Sequence, residues 1–466
     1  MTFEDTLATW LVKQRWFAGK GRTVHDLAVV ADTEIIPGDP GLRHLIVTVS
    51  HGATSDSYQL FVGYRARLPA RLRHARIGTH AGVQVYDGLH DTALTRTLLD
   101  AIVDDRSVGM LRFCRMPGAE ISRGQAGLDS LVLTGEQSNT SLVFGESAIF
   151  KVFRRVTSGP NPDLEVASAL ARLGSSHIAE PFGWVEARID GATAVLAILS
   201  RYLRAASDGW SLAATSVRDL YATEEGTRAA EAGGDFEGEA ERLGAATAQV
   251  HRDLADAFGQ SELEPEAIRE LAEQMYRRLD MAVATVPELG RYSDKVGNAY
   301  SDLAKLIEPV RAQRVHGDYH LGQVMRTQTG WVVLDFEGEP ASPLAQRRAR
   351  SSPLRDVAGM LRSFDYAARH QLVTRPDAAA SSPSAPSSPS TPSSPSSGLA
   401  AKAADWVRRN GDAFCAGYAA AGGLDPAENS VLLRAMLLDK AVYEVLYEAR
   451  NRPTWISIPL ESIAEL

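Results

Sequence analysis

The 466-residue sequence has few of the features that mark secreted, membrane and nucleic-acid-binding proteins. It has two cysteines, Cys114 and Cys415, each among apolar or small residues, which predicts buried free thiols and a reducing compartment. No apolar run approaches the length of a membrane span, and the N-terminus lacks the basic start and apolar core of a signal peptide. The formal net charge of −9 argues against nucleic-acid binding. These absences predict a cytoplasmic protein with no membrane or nucleic-acid partner.

The length and the order of the predicted elements indicate an α+β protein of more than one unit. Residues 1–100 combine a short amphipathic helix, several strands separated by turns, and a second helix. Residues 101–205 form a second strand-rich block, and residues 206–466 are mainly helical. The segment Ala378–Gly398 repeats Ser and Pro with almost no apolar side chains. Because such a segment cannot bury enough surface to offset its ordering entropy, we predict a disordered loop insertion there.

The segment Val315–Gly338, VHGDYHLGQVMRTQTGWVVLDFEG, places an aspartate, an amide and a second aspartate around a short predicted hairpin. The order of Asp318, Gln323 and Asp335 resembles the catalytic loop and the metal loop of protein-kinase-like phosphotransferases. In that chemistry Asp318 orients an acceptor hydroxyl and takes its proton. Gln323 and Asp335 offer the oxygen ligands that Mg²⁺ prefers. Taken singly, each acid could instead cap a turn, and His316 could be a satisfied loop histidine.

Other parts of the sequence carry the further groups that phosphoryl transfer from ATP needs. Lys151 lies in the apolar strand SAIFKVF, where an unpaired lysine would be costly, and Glu165 in the next helix is predicted to hold it. Asp356, at the start of a later helix, is predicted to hold the backbone of the catalytic loop. Glu337 replaces the glycine that follows the metal-binding aspartate in protein kinases, which favours a small-molecule kinase without a flipping activation segment.

A polar turn just before Lys151 can offer donors to phosphate oxygens. It is not a glycine-rich G-x-G-x-x-G loop, and an ordinary hairpin turn is the alternative interpretation. Its residues are Gln137, Ser138, Asn139, Thr140 and Ser141.

Four stretches outside the Ser/Pro segment make the chain resemble the bacterial maltokinases: WLVKQRWFAGKGR, GEQSNTS, HGDYHLGQVM with VLDFEGEP, and VYEVLYEARNRPTWISIPL. The resemblance implies a bilobal protein-kinase-like fold, related to aminoglycoside and choline phosphotransferases. It implies an N-terminal cap subdomain at residues 1–100, an intermediate nucleotide-binding subdomain at 101–205, and a C-lobe at 206–466 that holds the acceptor. It also implies ATP- and Mg²⁺-dependent phosphorylation of maltose at the anomeric hydroxyl, giving maltose 1-phosphate for α-glucan synthesis.

Under the same resemblance, the last of the four stretches lines the sugar site. Tyr443 and Trp455 would stack on pyranose rings. Glu444, Arg450 and Asn451 would form hydrogen bonds with sugar hydroxyls. Glu444 and Arg450 could equally form a solvated pair on a helix, and Trp455 could belong to the core.

Two other functions fit parts of the same pattern. The acceptor could be another sugar or amino sugar, such as glucosamine, because the catalytic residues do not distinguish between sugars. The chain could also be a nucleotide-binding partner of a trehalose-forming enzyme, acting through its cap without catalysis. The complete set of Asp318, Gln323, Asp335 and Lys151 argues against this second alternative, since a scaffold needs none of them.

Overall fold

The computed structural model describes residues 2–20, 22–52, 54–121, 129–133, 138–189, 191–339, 342–374 and 395–466. The chain forms two compact units. The first contains Met1–Ala171 and Ala179–Arg204, and the second contains Arg172–Ile178 and Ala205–Leu466. The main crossing point, after Arg204, lies next to the sequence boundary predicted between residues 205 and 206.

The first unit begins with helix α1 (Phe3–Leu11), which Thr2 and Asp5 start with a reciprocal capping box. A five-stranded antiparallel sheet follows, in the order β1-β2-β3-β5-β4. Successive side chains of a strand point to opposite faces of a sheet. In β3, Leu60 therefore packs in the hydrophobic cluster that contains α1 residues, and Phe61 packs in a second cluster on the other face. The strands are β1 (Asp26–Ile36), β2 (Gly41–Ser50), β3 (Ser55–Arg65), β4 (Arg76–His80) and β5 (Val83–Asp87).

The second cluster is shared with a seven-stranded sheet of the same unit, ordered β6-β7-β11-β12-β10-β9-β8. Helix α2 (Thr92–Val103) precedes this sheet, and helix α3 (Pro162–Arg172) follows β10 in the chain. The strands are β6 (Ser107–Val108), β7 (Leu111–Arg115), β8 (Ser130–Val132), β9 (Thr140–Phe144), β10 (Ala148–Val152), β11 (Pro181–Ile189) and β12 (Ala192–Arg201).

The two sheets of the first unit are joined through the buried side chain of Gln59 in β3. Its amide donates to the carbonyl oxygens of Phe153 (2.7 Å) and Leu196 (2.5 Å) in the second sheet region. Its own oxygen lies 2.9 Å from Nε2 of His44 in β2. Because all of these groups are buried, their hydrogen bonds fix how the sheets meet.

The second unit is mainly helical. Its short strands are β13 (Ser207–Asp208), which pairs with the hairpin β16 (Val324–Arg326) and β17 (Trp331–Val333), and the pair β14 (Gln260–Leu263) and β15 (Val310–Gln313). Its helices are α4 (Gly209–Tyr221), α5 (Glu237–Phe258), α6 (Pro265–Thr285), α7 (Ser293–Ala304), α8 (Leu344–Arg347), α9 (Leu354–Thr374), α10 (Pro395–Ala420), α11 (Ser430–Asn451) and α12 (Ser457–Glu465). Within the described ranges, no helix combines the length and the apolar character that a membrane crossing requires.

The predicted Ser/Pro insertion needs one correction. Most of it, up to residue 394, lies outside the described residues. Its last four residues are helical, because α10 begins at Pro395. Proline is tolerated in the first turn of a helix, and the alanine-rich sequence that follows favours helix, so the end predicted at Gly398 is four residues too late.

Both cysteines are free, as the sequence predicts. Cys114 is buried and Cys415 is half-buried. Burial raises the pKa of each thiol to about 12, so both are protonated and unreactive at neutral pH.

Candidate active site

The predicted catalytic loop follows β15 and enters the hairpin β16–β17 through a short turn at Leu321–Gln323. Gly317 has φ +86°, a left-handed conformation that glycine adopts without strain. Asp318 comes directly after this turn and is half-buried. The loop is therefore shaped by its own glycine and anchored at both ends by strands.

The side chain of Asp356, in the first turn of α9, holds the backbone of this loop. Its two carboxylate oxygens accept the N–H groups of His316 (2.8 Å) and Gly317 (2.9 Å). His251 of α5 lies 2.9 Å from the same carboxylate through Nε2. Burial acts to raise the pKa of Asp356, but the hydrogen bond to His251 and the neighbouring charges lower it overall. This is the contact that the sequence predicts for Asp356.

His316 connects the catalytic loop to the predicted metal loop. Its Nε2 lies 2.8 Å from the carbonyl oxygen of Leu334, and its Nδ1 accepts the N–H of Asp318 at 3.3 Å. Since a carbonyl can only accept, the proton belongs on Nε2, and the two contacts are consistent with one neutral tautomer. The histidine thus links the residue before Asp335 to the predicted base.

The predicted metal ligands lie together at the end of the hairpin. The Gln323 carbonyl accepts the N–H of Leu334 at 2.8 Å, and Nε2 of Gln323 lies 3.4 Å from Oδ2 of Asp335. Asp335 has φ +62°, which is uncommon for a residue other than glycine and marks a locally strained backbone. The carboxylate and the amide head therefore share one location, and both groups offer oxygen atoms of the kind that Mg²⁺ binds.

Lys440, which was not among the predicted site residues, and Tyr443 contact the acidic groups of this segment. Lys440 of α11 places Nζ 3.6 Å from Oδ1 of Asp318 and 3.6 Å from Oε2 of Glu339. The Tyr443 hydroxyl donates to Oε1 of Glu339 at 2.8 Å. Burial and the neighbouring Glu339 raise the pKa of Tyr443, which keeps its phenol protonated. Tyr443, a predicted sugar contact, is therefore connected to Asp318 through Glu339 and Lys440.

A cavity of about 460 Å³ extends from this cluster between α6 and α11. Its walls combine polar and apolar groups and carry both signs of charge. Asp439 forms an ion pair with Arg278 in the wall, and burial raises the pKa of Asp439 although Arg278 opposes the shift. The lining includes Glu270, Gln274 and Arg278 of α6, Gly338, Glu339 and Arg347 of the following segment, and Asp439, Lys440 and Tyr443 of α11.

The predicted contact between Glu444 and a sugar hydroxyl was wrong. Its carboxylate is buried and accepts two N–H groups of Arg362, at 2.9 and 2.7 Å. Arg362 also pairs with Asp365 at 3.0 Å. Because Glu444 faces α9 in this ion network, we remove it from the acceptor site.

The other predicted sugar contacts lie further along the chain. Arg450 and Asn451 are exposed at the end of α11, and Nδ2 of Asn451 donates to the Tyr447 carbonyl at 2.9 Å. Trp455 is half-buried, with the Arg452 guanidinium 4.4 Å from its ring centroid. Their roles in sugar binding stay predictions.

In the first unit, the predicted phosphate-binding lysine lies on β10 beside an acid. Lys151 is half-buried and pairs with Asp163 at 3.3 Å. Asp163 and Glu165, the acid predicted to hold the lysine, both lie in the first turn of α3. Asp163 was not among the predicted site residues, although its position in that acidic first turn was a visible signal.

The residues of the predicted phosphate-binding turn do not form one turn in the structure. Gln137 lies outside the described residues, and Ser138 and Asn139 form a bend. Thr140 and Ser141 are buried in β9, and the Thr140 hydroxyl accepts from Nε of Arg154 at 2.8 Å. Their burial corrects the expectation that these two side chains reach phosphate.

The fold is protein-kinase-like, as predicted. Residues 10–91 match the family model of the maltokinase N-terminal cap domain. A solved glucosamine kinase in complex with glucosamine, ADP and inorganic phosphate superposes with a TM-score of 0.65, covering 100% of this chain and 99% of that chain at 23% identity. The chain thus has the fold of that enzyme and carries the cap that the sequence analysis predicts.

Curated relatives cover most of the chain. A glucosamine kinase of Streptacidiphilus jiangxiensis is 29% identical over 347 residues, which are 71% of this chain and 72% of the relative. A glucosamine kinase of Mycolicibacterium smegmatis (strain ATCC 700084 / mc(2)155) is 29% identical over 342 residues, 70% of this chain and 77% of the relative. With the cap, these relatives support sugar-kinase activity.

Proposed function

We propose that this chain is an ATP-dependent sugar kinase that phosphorylates maltose at its anomeric hydroxyl, giving maltose 1-phosphate. The observation that carries the choice of acceptor is the cavity of about 460 Å³ that begins at Lys440 and Tyr443, beside Asp318, and continues between α6 and α11. A single hexose would fill a much smaller part of that space than a disaccharide. The maltokinase-type cap at residues 10–91 agrees with this acceptor.

In the proposed reaction Asp318 accepts a hydrogen bond from the anomeric hydroxyl, aims its oxygen at the γ-phosphorus and takes its proton as the new bond forms. The new P–O bond forms to the sugar oxygen while the bond between the γ-phosphorus and the β,γ-bridging oxygen breaks, so ADP leaves. Asp356 and His316 keep the loop rigid, which limits the motion of the Asp318 carboxylate.

For the donor, we propose ATP with Mg²⁺. The ADP in the solved relative supports an adenine nucleotide. Mg²⁺, when bound, offsets the negative charge of the phosphates, and Gln323 and Asp335 would hold it through their oxygens. Lys151 would hold phosphate oxygens, with Asp163 fixing its ammonium group in the first unit. Glu165, Ser138 and Asn139 remain candidate contributors to nucleotide binding.

Glucosamine is the second candidate acceptor. Two curated relatives and a solved structure with this fold are glucosamine kinases.

Initial-rate measurements with ATP and Mg²⁺ on maltose, glucose and glucosamine test the proposal, with the linkage of the product assigned by NMR. We expect kcat/KM for maltose to exceed that for glucose by about 10²-fold or more, since a missing ring leaves polar groups of the cavity unpaired. A value for glucosamine equal to or above that for maltose would establish the second candidate instead. Absence of turnover with every sugar would contradict a sugar kinase.

A further inference from the structure

We propose that Lys440 is a specificity-determining residue that excludes amino sugars from the acceptor site. This inference rests on the proposed function, because it assumes that the acceptor hydroxyl binds at Asp318. Nζ of Lys440 lies 3.6 Å from a carboxylate oxygen of Asp318 and 3.6 Å from one of Glu339. It also lies 5.0 Å from the ring centroid of Tyr443. Two carboxylates and an aromatic ring therefore surround one ammonium group.

Such an arrangement is what a protein uses to bind an ammonium ligand, since carboxylates supply charge-assisted hydrogen bonds and the aromatic face attracts a cation. Here the protein's own side chain fills the position. Glu339 has one oxygen in contact with Lys440 and the other accepting from Tyr443, so both of its oxygens are engaged. An ammonium group on the sugar would meet a like charge where it would otherwise find a partner.

A neutral sugar does not meet this obstacle. The Lys440 ammonium can donate hydrogen bonds to the hydroxyls of a neutral sugar. One oxygen of Asp318 faces Lys440, and the second oxygen of the same carboxylate can take the acceptor proton. The three charged side chains are half-buried, with 16–29% of each exposed, so solvent weakens but does not remove the repulsion of a second cation. The geometry therefore selects by charge, independently of the number of sugar rings.

The test compares glucose with glucosamine, which differ by an amine in place of one hydroxyl, in the full-length chain. In Lys440→Met, which keeps the length of the side chain and removes its charge, we expect the ratio of kcat/KM for glucosamine to that for glucose to rise by about tenfold or more. The gain should appear as a lower KM for glucosamine. Lys440→Arg keeps the charge, so its ratio should stay near that of the unmodified chain.

A matched control is Lys305→Met, because Lys305 pairs at 3.0 Å with Asp302 on an exposed surface of the same unit. It should leave the ratio unchanged. Thermal unfolding with and without ADP verifies that each variant folds, and Lys440→Gln serves if the methionine variant does not. An unchanged ratio in a folded, uncharged Lys440 variant would overturn the inference.

These measurements distinguish a failure of this inference from a failure of the proposed function. If the unmodified chain prefers maltose and removing the charge leaves the ratio unchanged, the inference alone is wrong. If the unmodified chain prefers glucosamine, the maltose proposal is wrong, and the exclusion of amino sugars is wrong with it.

Discussion

At the scale of single residues, the surroundings of Asp318 separate what the sequence can predict from what it cannot. Asp318, Gln323 and Asp335 are close in sequence, and their spacing was enough to predict a shared site. Lys440 lies 122 positions after Asp318, and no local pattern connects the two. Their contact arises because α11 packs beside the loop, so it required the tertiary structure.

Helical periodicity was nevertheless a usable signal for Lys440. Residues three, four or seven apart lie on one face of a helix, so Lys440, Tyr443 and Tyr447 share a face of α11. Glu444 directly follows Tyr443, so its side chain points about 100° away around the helix, toward Arg362 of α9. Glu448, one turn later, pairs with Tyr366. Choosing Tyr443 as a sugar contact should therefore have favoured Lys440 and disfavoured Glu444.

The first prediction concerns the base. We expect Asp318→Asn to lower kcat by about 10³-fold or more, because an amide can neither take the proton nor orient the hydroxyl as a carboxylate does. ADP binding, measured by calorimetry, should persist, since the proposed phosphate and metal ligands are unchanged. A rate close to that of the unmodified enzyme would remove Asp318 from the mechanism.

At the scale of elements, α9 positions the catalytic loop through two of its residues. Asp356 holds the loop by hydrogen bonds, and Gly359, one turn later, lets the helix approach it closely. A Cβ atom at Gly359 would lie 2.5 Å from the carbonyl oxygen of Tyr319, next to Asp318. The role of Asp356 was predictable from its place at a helix start, whereas the close approach at Gly359 depends on packing that no sequence pattern displays.

The second prediction follows from this close approach. Gly359→Ala should lower kcat by about tenfold or more and destabilise the fold by about 1–3 kcal/mol, because the added methyl group displaces the loop backbone. The higher helix propensity of alanine, worth about 1 kcal/mol, should not compensate.

Gly297→Ala in α7 is the matched control, since its Cβ would meet a Tyr276 ring atom at an ordinary 3.5 Å. Denaturant unfolding and steady-state kinetics measure both variants. Equal behaviour of the two would show that the loop tolerates the displacement.

At the scale of the whole molecule, the first unit depends on buried polar contacts between its two sheets. His44 is fully buried beside Gln59, and burial lowers its pKa to about 4 although the hydrogen bond with Gln59 opposes the shift. The histidine is therefore neutral in the folded chain at pH values where it is already protonated in the unfolded chain. The strands were predictable from alternation, but this coupling between them was not, because Gln59 meets Phe153 and Leu196 from distant parts of the chain.

The third prediction gives the sign of the resulting pH dependence. The stability that neutral His44 contributes is complete above its unfolded pKa of about 6.5, and it is lost as the pH falls from there to about 4. The difference corresponds to at most about 3 kcal/mol of unfolding free energy. Unfolding midpoints across this range should fall less steeply in His44→Asn than in the unmodified chain.

The exposed His25 gives the control for that experiment. His25→Asn should keep the original pH slope. A slope in His44→Asn as steep as in the unmodified chain would mean that other groups cause the acid sensitivity.

The hydrogen bonds of Gln59 between the two sheets also limit where segments of related enzymes can be exchanged. A hybrid that took residues 10–91 from one relative and the rest from another would separate Gln59 from its two carbonyl partners. It would also separate Asp87 from Arg154, which it meets at 2.5 Å in a buried ion pair. Each half would inherit buried polar groups evolved for a different counterpart. The cap is therefore not a part that can be exchanged alone. A crossover at Arg204 keeps the first unit whole and carries only Arg172–Ile178 of the second unit with it.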